Sequence, residues 1–282
     1  MLKPITDAQW NEYEELGYLK LGKIDDETLR QMQTQLDEIM MGRAAVEYEK
    51  MLMQLDSSTG AYEDAGEQSK GFKGARLDYR KIESLEYDPI FLKFLQHPVF
   101  EAICERVYGK DADISVFRTM FMNKPANKGT FLPWHQDRWT FLDRDPKITL
   151  WTAIDPATKE NGCVQVIPKS HRYGLINPTH LSGFLSKAQS EAICTPERIV
   201  YMELEAGESV ILHNYLLHAS DVNRSSQSRR ALSVCYMDAA TVNEAGNTHR
   251  EGAYPVVFGE GALTVEGVTK VRGAATPATV EA

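Results

Sequence analysis

The strongest constraint on the fold of this chain is a change of period near Ile114. Before it, apolar residues recur at helical spacing; after it, they come in short strand-like runs divided by turn signals. Asp7 to Leu19 and Asp25 to Met41 read as amphipathic helices, the second opening on Asp25-Asp26-Glu27, acids suited to the positive end of a helix. Residues 43–75 mix Met, Tyr, Ser, Gly and acids without a clear period and read as an irregular or mobile segment. Asp88 to Tyr108 is a further helical region, broken near Pro98 and closed by Gly109. Its expected buried stripe is Ile90, Phe91, Phe94, Phe100, Ile103 and Val107. Beyond Ile114 the strand-like runs are Val116 to Met122, Thr149 to Ile154, Cys163 to Ile167, Ile199 to Leu204, Ser209 to His213 and Ala231 to Met237. Asn161-Gly162, Ala206-Gly207 and the Ser-rich 225–228 separate them.

Helices followed by many short strands point to a mostly β fold with flanking helices, an antiparallel sandwich or barrel with the helices packed outside. A single domain is expected over residues 1–258, with a helical part at 1–109 and a strand core at 110–240. Residues 170–198, polar and rich in turn formers, read as a lid-like insertion, and residues 259–282 as a loosely held tail. With 43% hydrophobic and 25% charged residues in 282, the chain can bury a core, and a disordered reading is disfavoured. No apolar run approaches the roughly 18 residues of a membrane helix. The N-terminus turns acidic at once and lacks a signal-peptide pattern, so a cytoplasmic protein is expected.

The four cysteines, Cys104, Cys163, Cys194 and Cys235, are widely spaced singles and read as buried, reduced thiols. Residues 1–75 carry 15 acidic against 8 basic residues and so hold most of the net charge of −9. No basic stripe offers itself to nucleic acid. The expected partner is a small molecule, with no nucleic acid and no membrane; the sequence implies no oligomeric state.

Chemistry concentrates in Trp134-His135-Gln136-Asp137. Two residues apart on a strand, His135 and Asp137 would share a face and set an imidazole beside a carboxylate. His218 follows 83 residues after His135 at the end of another strand-like run. Two histidines and one carboxylate make a facial triad, which binds divalent iron on one side and leaves the opposite positions open. Eleven residues after His218 stands Arg229, in Ser228-Arg229-Arg230-Ala231-Leu232-Ser233, where a strand begins. Its guanidinium fork suits a ligand with a terminal carboxylate, and Ser220 offers a further hydrogen bond. Arg230 is the rival candidate, but alternation along a strand prevents both from pointing inward.

Over roughly residues 75–240 the sequence resembles the phytanoyl-CoA dioxygenase family of iron(II)- and 2-oxoglutarate-dependent oxygenases. The stretches that carry the resemblance are Thr119-Met120-Phe121-Met122-Asn123-Lys124-Pro125, the His135-Gln136-Asp137 box, Leu150-Trp151-Thr152-Ala153, Asn161-Gly162-Cys163 with Pro168 and His171, and His218-Ala219-Ser220 followed by Arg229. The resemblance implies a double-stranded β-helix, or jelly roll, with metal and cosubstrate in its open mouth. It implies His135, Asp137 and His218 as iron ligands and catalytic centre, and favours Arg229 over Arg230 as the partner of the distal carboxylate of 2-oxoglutarate. Trp151, Ser220, Met120 and Lys81 match positions near the cosubstrate. The implied reaction consumes O2 and 2-oxoglutarate, releases succinate and CO2, and hydroxylates an unactivated C–H bond. Related halogenases carry a small Gly or Ala where Asp137 stands, so the carboxylate points away from halogenation.

Two other readings share the triad. A zinc hydrolase would use a metal-bound water as nucleophile, but it leaves the arginine without a task. A non-catalytic binding or sensing module would not need an intact ligand set. Among the remaining residues, His171 is expected to brace a turn, His213 to be structural, and His97, His180 and His249 to lie in loops or helices. Trp134, Trp139, Phe141 and Tyr215 flank the ligands, where packing and substrate contact are equally open to them. Arg138 can meet a substrate anion or a surface acid.

Overall fold

In the computed structural model, which describes residues 1–244 and 254–272, α1 (Asp7–Leu16) opens with a capping box between Thr6 and Gln9. It stops short of the expected Leu19 because Gly17, at φ 83°, closes it in the left-handed conformation. The chain then runs straight into β1 (Tyr18–Lys23). The helix α2 (Asp26–Met40) is capped by the Asp25 carboxylate, which accepts from Thr28 N–H at 2.8 Å. The irregular segment expected at 43–75 instead contributes β2 (Leu52–Leu55) and β3 (Ser69–Lys70), followed by β4 (Tyr79–Glu83). These strands are short and of mixed polarity, so no period betrays them; they exist because β4 lies along a long neighbour. The helical region at 88–108 divides where expected into α3 (Pro89–Leu95) and α4 (Pro98–Tyr108), each with proline in its first turn.

That long neighbour is β5 (Ile114–Lys124). It is followed by β6 (Leu132–His135), β7 (Ile148–Ala153), β8 (Val164–Val166), α5 (Lys187–Ile193), β9 (Val200–Tyr201), β10 (Glu208–His213), β11 (His218–Ser220), β12 (Arg229–Asp238), β13 (Val256–Phe258) and α6 (Val265–Arg272). Nine strands form one sheet in the order β1-β10-β7-β12-β5-β4-β2-β3, with β13 also on β5; β6-β11-β8-β9 form the second. Every named pairing is antiparallel. The two sheets make the double-stranded β-helix, and a cavity lined by residues of both lies between them. The N-terminal part is thus not only helical, since it supplies β1 to β4 of the larger sheet.

Side-chain alternation sorts the larger sheet into two faces. Leu232, Val234, Ile148, Leu150 and Ile211 join Leu29, Met32, Leu36 and Ile39 of α2 and Phe91, Leu92 and Phe94 of α3 in the main core. Each such side chain is worth about 1.5–3 kcal/mol when fully buried. Ser233 and Trp151 take the opposite face and line the cavity. The loose tail expected from Gly259 is firmer than that at its start: Val268 of α6 is buried in the main core. Residues 273–282 and His249 lie outside the described residues. The four cysteines are free and buried, as expected. Among the described residues no helix is long and apolar enough to cross a membrane.

Candidate active site

His135 ends β6 and His218 opens β11, and the two are direct partners in the antiparallel ladder. That register stacks their rings with centroids 4.0 Å apart. Asp137 lies beyond the end of β6, so it shares no strand face with His135; it is placed by its N–H, which donates to Asn214 O at 2.7 Å. Asn214 is itself fixed, donating to Pro146 O and accepting from Thr149 Oγ1, each at 2.8 Å. Nε2 of His135 is 3.9 Å from Asp137 Oδ1, and Nε2 of His218 is 4.0 Å from Oδ2. The three donor atoms all lie within 4.8 Å of one another.

Both imidazoles are oriented in the same way. Nδ1 of His135 lies 2.8 Å from Pro133 O, and Nδ1 of His218 lies 2.9 Å from Leu216 O. A carbonyl only accepts, so each Nδ1 carries the proton and each Nε2 keeps its lone pair for a metal. Burial, followed by the neighbouring His218, pushes His135 down to about 3, which keeps the imidazole neutral, the form a metal takes. Burial opposes the charge on Asp137, but Arg118, His218 and His135 outweigh it and hold the carboxyl below its usual range. Gln136, between the two ligands, turns away from them. Its amide donates to Gly174 O and Tyr215 O and accepts from Ile176 N–H, each at 2.8 Å, which ties two loops to the site.

Arg229 and Arg230 part as strand alternation requires. Arg230 turns outward to Asp155 at 2.7 Å and Asp37 at 2.7 Å. Arg229 turns into the cavity, 2% exposed, with its guanidinium 5.5 Å from the Trp151 ring centre. Its Nε and Nη1 are buried and have no hydrogen-bond partner, and the same is true of Trp151 Nε1. Buried donors in that state are costly, and a guanidinium fork so placed fits a carboxylate. Burial brings Arg229 down to about 10, which still leaves it charged at neutral pH. Met120, Ser220 and Lys81 line the same cavity of about 360 Å³. Lys81 is no solvated lysine: burial, then Arg80 and Arg118, lowers it to about 7.

The remaining residues divide between wall and frame. Trp139, Phe141, Arg138 and His213 border the cavity, whereas Trp134 packs with Ile167 and Leu185. The Tyr215 hydroxyl donates to Asp145 at 2.6 Å, and Arg138 Nε sits 3.5 Å from the same carboxylate. His171 braces its turn through the backbone oxygen of Glu14, 3.1 Å away. His97 caps α4, and His180 lies in the 180–184 loop. The expected insertion over 170–198 does reach the site. Phe184 bridges to His135 and packs edge-on against its ring at 5.4 Å. Gly183, at φ 62°, allows this, because a Cβ there would run into the Gln136 carbonyl. Arg118, Glu83, Gln68 and Tyr62 are cavity residues that no motif announced.

Among solved structures, the architecture is shared with EctD from S. alaskensis, solved with 2-oxoglutarate and 5-hydroxyectoine, at a TM-score of 0.66 and 18% identity over 84% of this chain and 77% of that one. It is also shared with the α-ketoglutarate-dependent carbocyclase SnoK from nogalamycin biosynthesis, at a TM-score of 0.66 and 17% identity over 91% and 95%. At such identity these likenesses speak for the fold alone. The class, that of non-haem oxygenases that depend on iron and 2-oxoglutarate, comes instead from the family to which the sequence belongs. A model of the phytanoyl-CoA dioxygenase (PhyH) family matches residues 13–231, and the chain belongs to that family. "Phytanoyl-CoA dioxygenase 1" of Oryza sativa is 28% identical, covering 83% of this chain and 89% of its own. "Probable phytanoyl-CoA dioxygenase" of Caenorhabditis elegans is 28% identical over 66% of this chain; the match spans 64% of that relative's length.

Proposed function

We propose that the protein hydroxylates an unactivated C–H bond of a small molecule, with His135, Asp137 and His218 holding iron(II) and Arg229 holding the distal carboxylate of 2-oxoglutarate. The observation that carries this reading is the pairing of a metal-competent triad with a buried arginine whose Nε and Nη1 have no protein partner, on the wall of one cavity. Bound iron and 2-oxoglutarate supply the oxidising power, taking up O2 and releasing succinate and CO2.

The chain's own residues bind, orient and shield. The carbonyls of Pro133 and Leu216 fix both imidazole tautomers, and Asn214 fixes the backbone of Asp137. Trp151 and Met120 give the cosubstrate a dry wall, while Ser220 offers a hydroxyl and Lys81 a second cation on that wall. Phe184, above His135, screens the ligands from solvent. A hydrolase reading leaves Arg229 idle, so the oxygenase accounts for more of the site.

The experiment supplies purified protein with iron(II), 2-oxoglutarate and O2 and measures succinate. Succinate formed in step with O2 uptake, lost when iron is chelated, supports the reading; no iron-dependent succinate removes it. Once a substrate is in hand, its product under saturating chloride should gain one oxygen atom derived from O2, because the Asp137 carboxylate fills the position that a halogenase leaves to chloride. A chlorinated product would contradict this.

A further inference from the structure

The cavity holds a second guanidinium, that of the half-buried Arg118, which the oxygenase reading does not use. Its setting repeats that of Arg229. Arg229 lies over the Trp151 ring, and Arg118 lies over the Trp139 ring at 4.9 Å. Each has a buried Nε with no hydrogen-bond partner. Among the described residues the polar contact of Arg118 is an ion pair with Asp137, Nη2 to Oδ1 at 3.5 Å, beyond good hydrogen-bond length. Asp137 is to be shared with the metal, which leaves most of that five-donor fork unanswered.

A distortion of the sheet puts the residue there. Between Cys235 and Tyr236 of β12 the register slips, so that Cys235 faces Arg118, Tyr236 faces Val116, and Phe117 is the extra residue of a bulge. Val116 therefore joins the main core, while Arg118, of the same parity, lines the cavity beside Phe117. Bulges beside active sites commonly re-aim a side chain in this way.

Charge accounting gives the group it is aimed at. Inside the cavity, a divalent metal with the 2-oxoglutarate dianion, Asp137 and Arg229 is neutral. Glu83 acts on both Lys81 and Arg118, and Asp145 lies 3.5 Å from Arg138. With Lys81 protonated, Lys81 and Arg118 outnumber Glu83 by one charge, and of the two it is Arg118 whose buried Nε has no acceptor, a costly state for a charged donor. We infer that Arg118 binds a carboxylate carried by the substrate, whose body lies along Phe117, Trp139, Phe141 and Phe184. The cavity of about 360 Å³ must also admit the cosubstrate, so this class is a small acid with an apolar or aromatic body. The inference rests on the oxygenase reading, which assigns Arg229 and Asp137 elsewhere.

The test uses the whole protein loaded with zinc(II) in place of iron, so that nothing turns over, together with 2-oxoglutarate. Phenylacetate and hexanoate are the probes, and their primary amides are the neutral controls. Binding is read by tryptophan fluorescence and by ligand-observed NMR. The acids are expected to bind at least tenfold more tightly than the amides. Arg118→Gln should remove that preference while zinc and 2-oxoglutarate affinities change less than threefold, and Arg118→Lys should restore part of it. Arg229→Gln should do the reverse, losing 2-oxoglutarate and keeping the acid. Equal binding of acids and amides, or no acid binding by protein that holds zinc and 2-oxoglutarate, overturns the inference and leaves the oxygenase reading standing. An Arg118→Gln variant that loses zinc as strongly as the acid overturns it in favour of a residue that only positions Asp137. Wild-type protein that holds neither zinc nor 2-oxoglutarate defeats the underlying reading, and the inference falls with it.

Discussion

The inner end of the cavity, with Trp151 on β7 and Arg229 and Ser233 on β12, stands on strands hydrogen-bonded to neighbours on both sides. The outer end, with Tyr62, Trp139, Phe141, Leu181 and Phe184, stands on connections between strands. Ladder pairing fixes a Cβ direction through its neighbours, whereas a connection can change length and sequence at little cost to the sheet. On the proposed reading the end that holds the cosubstrate is rigid, and the end that meets the substrate adds replaceable walls to the strand residues Phe117 and Arg118.

The largest effects are expected at the inner end. His135→Ala and His218→Ala each remove a proposed ligand and should reduce turnover to background with loss of bound iron, read by metal analysis and succinate release. Full iron-dependent activity in both variants would refute the ligand assignment. Arg229→Ala should raise the 2-oxoglutarate concentration for half-maximal activity roughly ten- to a hundredfold, the value of a lost charge-assisted bond of about 1.5–3 kcal/mol. Arg230→Ala should change it far less. It breaks the contacts to Asp155 and Asp37, so its cost of about 1–3 kcal/mol should appear in thermal or urea unfolding. Equal effects of the two on 2-oxoglutarate would mean that alternation does not separate them.

A third effect sits between the two ends, at His213. Burial, then His171 and Lys147, lowers it to about 4, and its Nδ1 accepts from Tyr215 N–H at 3.0 Å. The unfolded chain binds this proton near pH 6.5 and the folded one only near 4, so stability should rise with pH across that window. Acidification from 6.5 to 4 should cost about 2–3 kcal/mol through this group. Stability measured against pH should be flatter in His213→Asn; an unchanged slope would assign the acid sensitivity elsewhere. The smallest effect is expected at the outer end, where Phe184→Ala should alter which small molecules stimulate succinate release and leave the requirement for 2-oxoglutarate within threefold. A larger change there would show that the wall and the cosubstrate site are coupled.

Much of this molecule is legible in local pattern. The helices α2, α3 and α4 follow from apolar spacing and caps, because helix formation is decided within a few turns. The strands β5, β7, β10 and β12 follow from apolar runs bounded by turns. By contrast β2, β3 and β4 are two to five residues of mixed polarity, and their partners lie outside their own local sequence, β4 pairing with β5 and β2 with β4 and β3. The outer wall suffers the same limit, since Tyr62 and Phe184 become neighbours at 5.0 Å only after both segments have folded onto the barrel.

By itself the sequence determined which residues are the candidates: His135, Asp137 and His218, which the structure brings within 4.8 Å of one another, and one inward arginine of the pair 229 and 230. Those choices depend on residue chemistry and on two-residue alternation, both local properties. Tertiary structure alone decided that Asp137 is placed by Asn214 rather than by a strand face, and that Lys81 is half-buried on the cavity wall. It also decided that Arg118 faces the site while Val116 faces the core. Two residues of equal parity on one strand end on opposite faces only because β5 pairs with β12 through a one-residue bulge, and that register is a property of two strands about 115 residues apart, not of either alone.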